Sequence, residues 1–77
     1  MEKVVKSIVA AQFGRKVDAI SVDTDLVNDL NGDSIDLVET LIRLEKELNV
    51  KIPESELSTR GTKVQNLIEL VNDKIAN

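Results

Sequence analysis

A chain of 77 residues with a formal charge of −4 has room for one small domain, and at that size folding buries only roughly 60% of the surface the unfolded chain exposes. Phe13 is the one aromatic residue in a hydrophobic fraction of 42%, so the core is expected to be built from Leu, Ile, Val and Ala. The acidic balance argues against nucleic acid, which needs clustered cations and stacking platforms; with no Cys and no His there is no disulfide, no thiolate zinc ligand and no Ser-His or Cys-His nucleophile pair.

The first element runs from Glu2 to Phe13. Val5, Ile8, Val9 and Phe13 lie at offsets of three, four and eight, one face of an amphipathic helix, and Gly14 offers its C-terminal stop. The start Met-Glu-Lys-Val-Val-Lys has no long apolar stretch behind it, so no signal peptide is expected. Nowhere does an uncharged apolar run approach the roughly 20 residues of a membrane span, and the expected location is cytoplasmic. From Arg15 to Asp33, Asp, Ser, Thr and Asn are spread among the isolated aliphatics Val17, Ile20, Val22, Leu26, Val27 and Leu30. This is the pattern of a long ordered loop pinned to helices by those side chains.

The second helix is expected over Ser34–Leu48, ended at Asn49 or by the Val50-Lys51-Ile52-Pro53 segment, because the residue before proline is biased away from helical angles. Pro53-Glu54-Ser55-Glu56-Leu57 fits one short helical turn with proline and acidic residues near its start. After Gly61, Thr62 is placed to cap a last helix reaching about Ile75, with Val64, Leu67, Ile68, Val71 and Ile75 at helical spacing. The sum is an all-α fold, residues 1–77 forming one small four-helix bundle of three main helices, one short helix and a long loop after the first.

The second helix has more apolar residues than one face can hold. At about 100° per residue, Leu37, Leu41, Leu44 and Leu48 cluster within about 40° of one another, while Ile35, Val38 and Ile42 fall roughly 100° to 160° away. A bundle this small cannot easily bury both stripes, so the second is expected to be partly exposed for a partner, unless the preceding loop covers it. Glu39 and Lys46 lie beside that stripe, with Asp36 and Arg43 further round.

Asp29-Leu30-Asn31-Gly32-Asp33 resembles a calcium loop only superficially. Aligning Gly32 with that loop's glycine puts Val27 and Val38 where oxygen ligands are required, which leaves Asp23, Asp25, Asp29 and Asp33 as a solvated acidic surface or a weak divalent site. Asp33-Ser34 before the apolar run is a helix start, with Asp33 as N-cap, Asp36 three residues on and Ser34 in the first turn. Capping alone explains these residues. The Ser34 hydroxyl is nonetheless accessible, and a phosphate attached there would meet unpaired backbone amides at the positive end of the helix dipole, a gain of about 0.3–1 kcal/mol. Asp33 and Asp36 oppose that gain by like-charge repulsion.

Leu30-Asn31-Gly32-Asp33-Ser34-Ile35-Asp36, followed by Val38-Glu39, Leu44-Glu45, Val50-Lys51-Ile52-Pro53 and Thr62-Lys63-Val64-Gln65, resembles the acyl carrier protein family over nearly the whole chain. The resemblance implies that Ser34 carries 4′-phosphopantetheine, transferred from coenzyme A by a phosphopantetheinyl transferase, and that the arm's thiol holds acyl groups as thioesters. It further implies a carrier rather than an enzyme, acting as a monomer in fatty-acid or related biosynthesis. Asp33, Asp36 and Glu39 would then meet basic patches on acyl-transfer and synthase enzymes, with Ile35, Val38 and Ile42 making the apolar contacts. Thr40, Arg43, Lys46 and Arg60-Gly61 depart from the pattern of typical fatty-acid carriers. A freestanding fatty-acid carrier, a specialised carrier for polyketide, peptide or modified-lipid synthesis, and an unmodified helical interaction protein therefore all remain open on the residues alone.

Overall fold

The computed structural model describes residues 1–76, which form four helices: α1 (Glu2–Phe13), α2 (Ser34–Leu48), α3 (Ser55–Arg60) and α4 (Val64–Ala76). α1 packs against α2 and α4, and α3 against α4. The bounds of α1 and α2 are those expected, and each has a local cause. α1 stops at Gly14 and α2 at Asn49, both left-handed, at φ 64° and 54°. Glycine takes that conformation without a Cβ penalty and asparagine tolerates it.

α2 begins with a reciprocal pair of bonds. The Asp36 amide donates to Asp33 Oδ1 at 2.9 Å and the Asp33 amide to Asp36 Oδ2 at 3.2 Å, so two of the orphan donors at the helix start are satisfied by side chains. The core comprises Val5, Val9 and Ala10 of α1, Leu41 and Leu44 of α2, Leu57 of α3, and Val64, Leu67, Leu70 and Val71 of α4. Ile20, Leu26 and Leu30 from the loop and Ile52 complete it. Leu37, Leu48, Ile8, Phe13 and Ile68 pack at its margin. Leu70 takes a core position that the spacing assigned to Ile75, which lies at the far end of α4 and is 49% exposed.

Three local expectations are corrected. The short helix begins two residues later than expected: the Pro53 and Glu54 carbonyls accept the Glu56 and Leu57 amides at 3.1 Å each. Those residues are the entrance turn, and the helix continues to Arg60 until Gly61 turns away at φ 109°. Thr62 does not cap α4. Its hydroxyl donates to Asp25 Oδ1 at 2.8 Å, and Asn66 Oδ1 accepts the Lys63 amide at 3.0 Å. The stretch from Arg15 to Asp33 also has structure of its own, a 3₁₀ turn at Val17–Ala19 and an antiparallel bridge between Asp25 and Lys63. Ile20, Leu26 and Leu30 pin it as expected, but Val17 and Val27 face solvent.

That loop positions the start of α2. Leu26 and Val64 amides donate across to the Thr62 and Thr24 carbonyls, each at 2.9 Å, and the Gly32 amide returns to the Leu26 carbonyl at 2.8 Å. The root of α4 is therefore tied through Leu26 to the residue two before Ser34.

Candidate functional site

Asn31 adopts φ 57°, so the turn into α2 takes its left-handed residue from asparagine and uses Gly32 for a different purpose. A Cβ on Gly32 would lie 2.7 Å from the Leu26 carbonyl oxygen and 2.9 Å from Cε1 and Cζ of Phe13. The glycine is required by close approach, and through it the chain's one aromatic ring abuts the approach to Ser34. The one sequence signal for this was an Asn-Gly pair, which marks a turn but not a packing contact.

Ser34 is the first residue of α2 and is exposed. The capping box occupies the amides of Asp33 and Asp36, and the Leu37 amide donates to the Asp33 carbonyl at 3.1 Å. Among the described residues the amides of Ser34 and Ile35 have no protein acceptor. An exposed hydroxyl therefore sits beside two backbone donors at the positive end of a 15-residue helix, a setting that suits an attached phosphate.

Beside Ser34 lies an open groove of about 220 Å³, lined by Ser34, Ile35, Val38, Glu39 and Glu54. Ile35 is 65% exposed and Ile42, two turns along, 42%; Val38 is half-buried between them. The loop that might have covered this stripe lies elsewhere, packed on the start of α4. Asp33 and Glu39 are exposed and Asp36 half-buried, so the structure brings Ser34, the acidic side chains and the apolar stripe onto one end and one outer face of α2.

Sequence reasoning missed two contributors and left a third without a role. Glu54 forms part of the groove across from α2. Gln12 Nε2 of α1 donates to Glu39 Oε2 at 3.1 Å. Thr40, one of the departures from the family pattern, is fully buried, its hydroxyl donating to the Asp36 carbonyl at 2.7 Å. Glu54 and Gln12 have no local signal, since each depends on which element lies opposite, whereas the Thr40 bond runs one turn back within its own helix.

Asp25 anchors the loop. Its carboxylate accepts the Val27 and Asn28 amides, the Asn28 side chain and the Thr62 hydroxyl at 2.8–3.3 Å. Desolvation pushes its pKa up, but the hydrogen bonds from Asn28, Thr62 and Val27 together outweigh it and hold the carboxyl below the usual range. Asp29 Oδ2 likewise accepts the Asp25 amide at 2.8 Å. These carboxylates are turned to backbone donors, and among the described residues no cluster of three or more His, Cys, Asp or Glu is arranged to hold a metal ion.

Comparison with known proteins gives this geometry its context. A family model described as a phosphopantetheine attachment site matches residues 3–71, which defines the class: proteins that carry a covalent phosphopantetheine arm. The chain is also 38% identical over 72 residues to an acyl carrier protein of Thermosynechococcus vestitus (strain NIES-2133 / IAM M-273 / BP-1), a match covering 94% of this chain and 88% of that protein. The chain belongs to the acyl carrier protein family. It is a carrier and not an enzyme, its prosthetic group is 4′-phosphopantetheine, and its partners are in kind acyl-transfer and synthase enzymes. No helix among the described residues is long and apolar enough to cross a membrane.

Proposed function

We propose that Ser34 is the residue that bears the phosphopantetheine, and that the N-terminal end and outer face of α2 present it to partner enzymes. The observation that carries this reading is the exposed Ser34 hydroxyl beside the two amides without protein acceptors, at the mouth of an apolar groove. When bound, the group supplies a terminal thiol for holding acyl cargo, a reactive sulfur this cysteine-free chain lacks.

The chain's own residues have simpler tasks. Ser34 offers an oxygen, and with no His or Cys in the chain the base that takes its proton belongs to the transferase. The Ser34 and Ile35 amides donate toward phosphate oxygens, while Asp33 and Asp36 keep that end anionic and limit the gain. Asp33, Asp36 and Glu39 favour partners with basic patches; Ile35, Val38 and Ile42 supply apolar contact. On this reading residues 1–77 are a single carrier domain, monomeric and cytoplasmic, serving fatty-acid or related biosynthesis.

The test is incubation with coenzyme A, magnesium and a broad-specificity phosphopantetheinyl transferase, followed by intact-mass measurement. One phosphopantetheine is expected on the wild type and none on Ser34→Ala. Because Asp33 is the N-cap, the alanine variant should keep its stability within about 0.5 kcal/mol, so loss of labelling cannot be ascribed to unfolding. A folded wild type that gains no mass refutes the assignment.

A further inference from the structure

We propose that the outer face of α2 is a two-signed docking surface, whose partner presents a basic cluster to the Ser34 end and an acidic cluster to the Asn49 end. The inference rests on the carrier reading above and adds the second charge. Asp33, Asp36 and Glu39 occupy the first part of the helix and its cap; Arg43 and Lys46 follow, and Lys51 lies just beyond the end. All three cations are exposed.

Their charge is not neutralised within the fold. The ion pairs among the described residues are Lys6 with Glu2, Arg60 with Asp73 and Lys74 with Glu56, none of which includes Arg43, Lys46 or Lys51. None of the acidic neighbours in sequence pairs with them: Glu54 lines the groove beside Ser34. Glu45 Oε2 accepts the Ile52 amide at 2.8 Å, and Glu47 faces α1 across a recess it shares with Lys3. Glu39, one turn before Arg43, accepts Gln12.

Lys46 and Lys51 flank a depression of about 340 Å³ that also takes in Ile42, Glu45, Asn49 and Val50. An exposed apolar anchor, Ile42, thus has a basic border, as Ile35 at the other end has an acidic one. Complementing the helix dipole accounts for Lys46 in the last turn. It does not account for Arg43 in the middle of the helix or Lys51 beyond it.

A partner matching this order carries its acidic cluster about 15 Å from its basic one, the rise over the ten residues from Asp36 to Lys46. A uniformly basic partner surface would instead meet three like charges, so the order of charge sets orientation and rejects wrong partners.

The test begins with carrier whose single phosphopantetheine has been verified by mass. Acyl transfer to it by the acyl-transfer and synthase enzymes of the source organism is then followed across ionic strength, for wild type, Lys46→Glu/Lys51→Glu and the charge-neutral Lys46→Gln/Lys51→Gln. The reversal should lower kcat/KM roughly tenfold at low salt through KM, with kcat unchanged and the difference shrinking as salt is raised. The Gln pair should fall between, and it decides the matter should the reversal disturb the circular dichroism of the fold. Unchanged or faster transfer by verified carrier in every pairing overturns the two-signed surface alone; a wild type that takes no phosphopantetheine overturns the carrier reading and this inference with it.

Discussion

Gly32 and Asp25 shape the approach to Ser34 without being its immediate sequence neighbours. At Gly32 an added methyl would press on the Leu26 carbonyl and on the Phe13 ring together. Gly32→Ala should therefore cost about 1–3 kcal/mol in a denaturant titration, and shortening the ring in Gly32→Ala/Phe13→Leu should recover part of it. A neutral Gly32→Ala would show that the approach to Ser34 is looser than the contact distances require. Asp25 is legible in the sequence only as one of several acidic residues; its four hydrogen-bond donors include one from Thr62, 37 positions away. Its native pKa is depressed, so its contribution is fully present above the unfolded value of about 3.9 and is lost as pH falls through the lower native value. Asp25→Asn should thus be less stable than wild type near neutral pH, and the two should converge in acid. A gap that stays constant down to the acid transition would contradict that linkage.

The two apolar stripes of α2 differ in what they do for the fold. Leu44 is fully buried, whereas Ile35 and Ile42 are 65% and 42% exposed. Leu44→Ala is expected to cost about 2–5 kcal/mol, while Ile35→Ala and Ile42→Ala should each stay within about 0.5 kcal/mol of wild type by thermal or chemical denaturation. Comparable losses at all three would mean that the second stripe is structural and not a docking surface. Both stripes were legible because 3.6-residue periodicity separates them before any tertiary contact is known. The ends of α1 and α2 were legible for a related reason: Gly14, Asp33 and Asn49 act on their own backbone neighbourhood. α3 starts later than expected because Pro53 and Glu54 form its entrance turn, and the role of Thr62 is settled by another element. Thr62 has a suitable capping side chain, but the loop brings Asp25 to it and Asn66 takes over the cap.

For the whole molecule, the long loop ties the start of α4 to the approach to α2. Its bonds run from the root of α4 through Leu26 to Gly32, leaving Ser34 outside the core at the end of a rigid element, with the outer face of α2 uncovered. The helices, the exposed stripe and the serine proposed for attachment were all visible in the sequence; the clasp that orients them was not, because its partners are separated by up to 43 positions, as between Gln65 and Val22. The most direct test is intact-mass and peptide-level mass spectrometry of the protein isolated from its native source. The account predicts one phosphopantetheine per chain, with or without acyl cargo, localised to the peptide containing Ser34 and absent from a Ser34→Ala strain. A folded native protein that carries no such group, or carries it on another residue, would contradict it.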